Sequence, residues 1–386
     1  MKTVQQSPTD LDFIQNPYPF YDTLRSNDLT FWHDYDLPVA TSHAIVSSLL
    51  RDKRFGRENP LPTPPEPHTV PFYDIEAHSM LELEPPHHTR LRGLVLRAFT
   101  SRRIAMLTPE IEQLSHDLID RFPGGPFDLL PAFAQTIPVI IIARLLGVPE
   151  HHAPQLLLWS NAMVGMYQAK RTHADERAAA TASSEFSSFL TTLIKSKRAA
   201  PADDLISHLI AAEEDGERLS TPELITTVIL LLNAGHEATV HMLGNAIKTL
   251  LETGIRPTGS PEFTEEVLRH DPPLHMFTRF AKDDIDALGH SFKKGDQVGL
   301  LLAAANRDPQ VYPDPARFDP ARKAKAHTSF GGGIHFCVGA PLARLEIATS
   351  LKILFDRCPD LKLVEAPIYA NNYHFHGLER LIVSTH

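Results

Sequence analysis

The chain has 386 residues, of which 42% are hydrophobic and 22% charged, and a formal net charge of −10 at neutral pH. That composition is ordinary for a globular protein with a sizeable core, and the acidic balance argues against nucleic acid as the main partner. Two cysteines, Cys337 and Cys358, do not support a disulfide framework and suit a reducing compartment. No cationic start leads into an apolar core, and the best apolar run, residues 137–148, is interrupted by Pro138 and Arg144. Neither a secretory signal nor a bilayer span is therefore read. The expectation is a soluble, cytoplasmic protein without a membrane partner, a single domain over residues 1–386 in which residues 1–15 form a flexible tail.

The first 85 residues read as loop-rich. Residues 16–20 are turn-dense, residues 21–26 and 44–50 suggest short helices, and the patches at Phe31–Trp32 and Val39–Ala40 suggest strands of a small sheet. Five prolines between Asn59 and Val70 mark a surface loop. Residues 85–104 open on two prolines and carry Leu91, Leu94, Val95, Ala98 and Phe99 at helical spacing. The same stretch holds Arg90, Arg92, Arg97, Arg102 and Arg103, with no acid between Glu84 and Glu110. A solvated helix face is the plain reading of such a charge run. Residues 109–146 are helical apart from a Pro-Gly-Gly-Pro break at 123–126. Residues 156–168 form an apolar helix with Trp159, Met163 and Met166, for which core packing is the default. Residues 170–197 read as a long exposed Ala-rich helix, and residues 205–213 as another.

The longest periodic segment is residues 220–252. Ser220 and Glu223 have capping-box spacing and Gly254 is a plausible stop. At about 1.5 Å per residue the helix is roughly 50 Å long. Its middle reads Asn233-Ala234-Gly235-His236-Glu237-Ala238-Thr239. A mid-helix glycine costs about 1 kcal/mol relative to alanine, which close approach of a flat group to the backbone would explain, and a carboxylate in an apolar run needs a partner. Glu266 and Arg269 then share a helix face at i,i+3. Residues 272–281 read as a proline turn and a strand, residues 292–305 as a hairpin and buried run, and three short strands close the chain.

Residues 330–346 read Phe-Gly-Gly-Gly-Ile-His-Phe-Cys-Val-Gly-Ala-Pro-Leu-Ala-Arg-Leu-Glu. Three glycines allow backbone conformations barred to other residues. Cys337 follows just ahead of a helix that opens at Pro341, where backbone N–H groups favour a thiolate. This string resembles the haem-binding loop of the cytochrome P450 family, with Phe330, Gly331, Gly333, His335, Cys337, Gly339, Ala343, Arg344 and Glu346 at matching positions.

The resemblance extends from about Asn16 to Leu381. It implies a mainly α fold with a small β region, a single-domain P450 fold with haem b between the long helix and the cysteine loop. Cys337 would be the axial ligand of the haem iron, and Phe330, Gly339 and Ala234 would line the cofactor. His88 and Arg92, four apart on one helix, would hold the propionates together with Arg279 and His335. The family's Ala-Gly-x-acid-Thr string is met by Ala234, Gly235 and Glu237, but Ala238 stands where the threonine belongs. Thr239 is turned about 100° away along the helix, so the resemblance implies an altered catalytic set of Gly235, Glu237, Ala238 and Thr239 for delivering protons to dioxygen, with an ordered water or a substrate hydroxyl in place of the alcohol; the other reading is neutral variation at Ala238 compensated by Thr239. Glu266, Arg269 and Arg317 would form the structural ion-pair trio behind the haem. Phe72, Tyr73, Met80, Met163, Met166, His275, Met276, Phe277 and Phe375 would border the substrate. The basic patch, with Arg322, Lys323 and Lys325, would face a redox partner.

The resulting expectation is a monomeric monooxygenase that hydroxylates a small to medium hydrophobic molecule with O2 and two electrons from a separate ferredoxin and ferredoxin reductase. Ala238 raises peroxide-driven oxidation as an alternative. A non-catalytic haem or gas-binding protein is the reading from another class, against which Glu237 and the basic patch stand. The 21 histidines could also suggest zinc, but His87–His88, His151–His152 and His374-x-His376 lack the spacing of a structural site.

Overall fold

The computed structural model describes every residue except Asp215, Ala324 and Lys325, so the basic-patch assignment of Lys325 lies outside the described residues. The chain divides into two compact units. One comprises residues 1–61, 111–135 and 238–386, the other residues 62–110 and 136–237.

The first unit holds the main sheet, six strands in the order Lys2–Val4, Thr30–Trp32, Leu37–Ala40, Gln297–Leu301, Met276–Ala281 and Phe55–Gly56. Strand Gln297–Leu301 pairs parallel to Leu37–Ala40 and antiparallel to Met276–Ala281, with Val298 opposite Arg279 and Leu300 opposite Phe277. Val298, Leu300 and Leu302 pack with Val46, Leu49, Leu50, Phe55, Ala281 and Phe292 in one core cluster. The buried run read as continuing to Ala305 leaves the sheet at Leu301 and coils into a short helix, Leu302–Asn306, every residue of which is buried. Successive alanines favour that change, being good helix formers and poor strand formers.

Residues 1–15 are not a tail. Lys2–Val4 adds a parallel strand beside Thr30–Trp32, and the Asp10 carboxylate accepts from the Phe13 N–H to cap helix Leu11–Gln15. That helix buries Phe13 and Ile14. An N-cap Asp followed by apolar residues was a signal in plain view.

The second unit is helical. His173–Ala199 carries a full capping box between Thr172 and Asp175. It is not an exposed helix throughout: Ala179, Ala182, Ser183, Phe186, Leu190 and Ile194 form a buried stripe. Its alanines and serines permit close approach of helix Ala153–Val164, where Trp159 stacks on Phe186 at 5.1 Å. The long helix runs Thr221–Thr253, its start fixed by reciprocal Ser220 and Glu223 bonds and its end by Gly254 at φ +70°. Among the described residues no helix is long and apolar enough to cross a membrane.

Candidate functional site

In the first unit the cysteine loop is built on two left-handed glycines, Gly331 and Gly333, both at φ +67°. A Cβ on Gly333 would lie 2.5 Å from the Leu50 carbonyl oxygen, so the position admits no side chain on either count. The Cys337 N–H donates to the Phe330 carbonyl at 3.0 Å, closing the loop, and helix Ala340–Arg357 begins three residues later with Pro341 in its first turn. Cys337 is partly buried. The Phe330 ring lies under the Arg344 guanidinium at 4.7 Å, and Arg344 forms a two-pronged pair with Glu265 at 2.5 and 2.9 Å. Burial raises the Glu265 carboxyl, but the bonds from Arg344 and His327 outweigh it and hold the group down at about 2. The loop is thus anchored by charge-assisted bonds on the side where the helix starts.

Gly339 has ordinary helical backbone, and a Cβ there would touch the Cys337 sulfur at 3.8 Å. Phe277, expected near substrate, packs against the loop itself: its ring lies 3.6 Å from where a Gly331 Cβ would stand. Arg279 is 3% exposed on the same strand and donates to the Thr278 carbonyl, while His335 is partly buried. Met276 is partly buried. His275 is fully buried beside Tyr21, and Phe375 is bridged to Leu274, so both are taken up in internal packing.

The ion-pair trio requires a correction. Glu266 receives Arg269 through two 2.7 Å bonds, as expected, but its third partner is Arg322 at 3.2 Å. Arg317 points outward to Asp319 at 3.1 Å and contributes only its carbonyl, which accepts from Arg269. The sequence reading had the two arginines exchanged, placing Arg322 on the surface. The turn at Asp319, whose N–H donates to Glu266 at 2.8 Å, is what directs Arg322 inward.

In the second unit, Asn233, Ala234, Gly235 and Glu237 belong to the long helix. Burial along that helix is nearly continuous from Leu224 to Leu232 and from Thr239 to Ile247, and between them Ala234 is exposed while Gly235, Glu237 and Ala238 are partly so. What lies against Gly235 on its Cβ side is Ile142, at 3.4 Å. Asn233 reaches the Met163 sulfur at 3.8 Å, and Thr226 donates to the Ile75 carbonyl at 3.1 Å. The helices carrying Met163 and Phe72–Tyr73 therefore both pack on the long helix. Phe72, Met80, Met163 and Met166 are buried and Tyr73 is 39% exposed. His88 is buried and Arg92 partly so on helix His87–Ala98.

Sequence reasoning missed His236. Its Nδ1–H donates to the Leu232 carbonyl at 2.7 Å, which leaves Nε2 3.3 Å from the Glu237 carboxylate. Neighbours at i,i+1 do not share a helix face, so no spacing signal existed. The basic patch is also smaller than its sequence suggests, because Arg90 is paired with Glu217 and Glu223 and Arg103 with Asp203.

The residues present fit a haem. In the first unit a thiol is held on a glycine loop ahead of a helix N-terminus, and the same unit carries the buried Arg279.

The family model for cytochrome P450 matches residues 262–359. The chain is 37% identical to the cytochrome P450 monooxygenase PikC of Streptomyces venezuelae over 96% of this chain and 91% of that protein. It is 39% identical to the polyketide biosynthesis cytochrome P450 PksS of Bacillus subtilis over 81% of this chain and 78% of that one. Among solved structures, P450BioI in complex with an acyl carrier protein bearing hexadec-9Z-enoic acid superposes with a TM-score of 0.92 at 32% identity, covering 98% of this chain and all of that one. Epothilone D-bound P450epoK superposes at 0.90, with 29% identity and 98% of each chain covered.

Proposed function

Because the chain belongs to the cytochrome P450 family, and so is a haem-binding oxidoreductase of the monooxygenase type, we propose that Cys337 is its thiolate ligand and that it hydroxylates a hydrophobic organic molecule. Cys337 would hold the haem, which when bound would supply oxygen activation, and a thiolate ligand favours O–O cleavage. The protein's part is to keep Cys337 ionised and fixed, through the loop closed by Phe330 and the helix that starts at Ala340. His88, Arg92, Arg279 and His335 hold the propionates, and two electrons come from a ferredoxin that docks on the remaining basic surface and is itself reduced by a ferredoxin reductase.

Proton delivery rests on Glu237, whose Oε2 lies 3.3 Å from His236 Nε2. Ala238 offers no hydroxyl, so an ordered water or a substrate hydroxyl carries the proton onward within hydrogen-bond reach. Replacing Ala238 by Thr should then raise the product formed per NADH consumed; an unchanged ratio with the same substrate would reject this role. The same alanine supports a second reading, oxidation driven by hydrogen peroxide. Faster turnover with peroxide than with NADH and ferredoxin would favour it.

The substrate is small to medium-sized and apolar. The similar proteins are named for polyketide biosynthesis, epothilone D and a fatty acyl chain on a carrier protein, so polyketides and fatty acyl chains are the first compounds to screen by haem spin-state shift. The geometry of the Cys337 loop carries the whole reading. Reduced protein under carbon monoxide should show a strongly red-shifted Soret band, lost in Cys337→Ala. A spectrum typical of histidine ligation would overturn it.

A further inference from the structure

Far along the chain from the cysteine loop, the first unit gathers Asp271, His275 and His376 in its interior, each at most 4% exposed. One ligand-capable atom of each lies within 4.8 Å of the other two. The imidazole rings are 4.4 Å apart between centroids. His376 Nε2–H donates to the Ile14 carbonyl at 2.7 Å, and a carbonyl can only accept, so in the neutral ring Nδ1 carries the lone pair. That Nδ1 has no hydrogen-bond partner and stands 3.9 Å from Asp271 Oδ1. His275 engages Tyr21 through Nδ1 at 2.8 Å, and its Nε2 is likewise buried without a partner. Two orphaned imidazole nitrogens beside one carboxylate would be a costly arrangement in a finished core.

We propose that Asp271, His275 and His376 form a structural binding site for a zinc-like divalent transition metal. The outer contacts are those such a site needs, since each imidazole is oriented through its other nitrogen and Asp271 accepts from the Tyr18 and Tyr369 hydroxyls. At metal–nitrogen distances of about 2.0–2.1 Å, loading draws the three ligand atoms together by roughly 1.5 Å at most. Asp271, Tyr369 and His376 also line a cleft of about 800 Å³, so two of the three ligand residues border an opening. Arg307, over the Tyr18 ring, and Lys248, paired with Glu252, face the same cleft. These cations oppose binding by charge alone. They select a metal held by imidazole coordination over calcium or magnesium, which want oxygen ligands.

A bound ion would join the end of helix Pro261–His270 to the C-terminal segment and, through Ile14 and Tyr21, to the N-terminal helices. Sequence spacing could not show this site, because its ligands lie 4 and 101 positions apart in the chain. Haem-loaded protein is incubated with zinc chloride, desalted, and assayed for metal. The wild type should retain about one more zinc than the His275→Gln/His376→Gln variant and gain thermal stability that the variant does not. Wild-type crystals soaked in zinc, which do not depend on how the variant folds, should show an anomalous peak between His275 Nε2 and His376 Nδ1. Equal zinc in both proteins, or peaks only at surface histidines, would overturn the proposal.

Discussion

Arg317 and Arg322 each end a Pro-Ala-Arg triplet five residues apart, and nothing in the string tells them apart. Their environments do: the Arg317 side chain is 65% exposed and that of Arg322 only 10%. Removing Arg322 strips a cation from Glu266, which is nearly inaccessible and cannot be rescued by water. Glu266 keeps both Arg269 bonds, so Arg322→Ala should cost on the order of 1.5–3 kcal/mol, whereas Arg317→Ala, losing a surface pair with Asp319, should cost less than about 1 kcal/mol. Urea midpoints of the two variants decide the matter, and equal losses would show that Glu266 does not depend on Arg322. The loop glycines divide in the same way. Gly333→Ala meets both a left-handed backbone and the Leu50 carbonyl, and should lose more than about 2 kcal/mol together with haem retention. Gly339→Ala makes only ordinary contact with the Cys337 sulfur and should stay within about 1 kcal/mol of the parent in thermal unfolding.

Helices whose caps and apolar period are both written in the chain were legible. The Ser220–Glu223 box and Gly254 bound the long helix within a residue or two, and the cysteine helix opens where Pro341 indicates. The helix at Leu11–Gln15 and the buried stripe of His173–Ala199 were not, the first being too short for periodicity and the second opening on alanines and serines, which carry little hydropathy, before Phe186, Leu190 and Ile194 continue it. The cysteine helix buries an ionisable side chain. Glu346 faces the interior, 1% exposed, and neither carboxylate oxygen has a hydrogen-bond partner. Burial pushes its carboxyl from the ordinary 4.5 up to about 8. In the unfolded chain the proton leaves near 4.5 while the folded chain keeps it to about 8, so between these values the folded state binds more protons and stability falls as pH rises. Glu346→Gln, which keeps the shape without the ionisation, should match the parent near pH 4.5 and exceed it by on the order of 3 kcal/mol at pH 7–8. Thermal midpoints of both proteins across that range test this, and parallel pH profiles would show that Glu346 is already ionised in the folded protein.

At the scale of the whole molecule, the cysteine loop was readable because its residues are contiguous, whereas the Glu266 trio and the Asp271 cluster depend on returns of the chain that no local pattern encodes. The same returns bear on how the protein unfolds. The chain passes between its two compact units at residues 61–62, 110–111, 135–136 and 237–238. Neither unit is thus a continuous stretch able to form before the rest is made. The last crossing falls inside the long helix, whose hydrogen-bond ladder runs unbroken from Thr221 to Thr253. Melting one unit alone would cut that ladder at Glu237, leaving new helix ends without the caps that Ser220 and Gly254 supply. We therefore predict that the chain behaves as one cooperative domain. Thermal unfolding of the haem-loaded protein, followed by the Soret band and by far-ultraviolet circular dichroism, should give coincident transitions. A Soret transition that precedes a separate loss of helix would instead mean that the two units unfold one after the other.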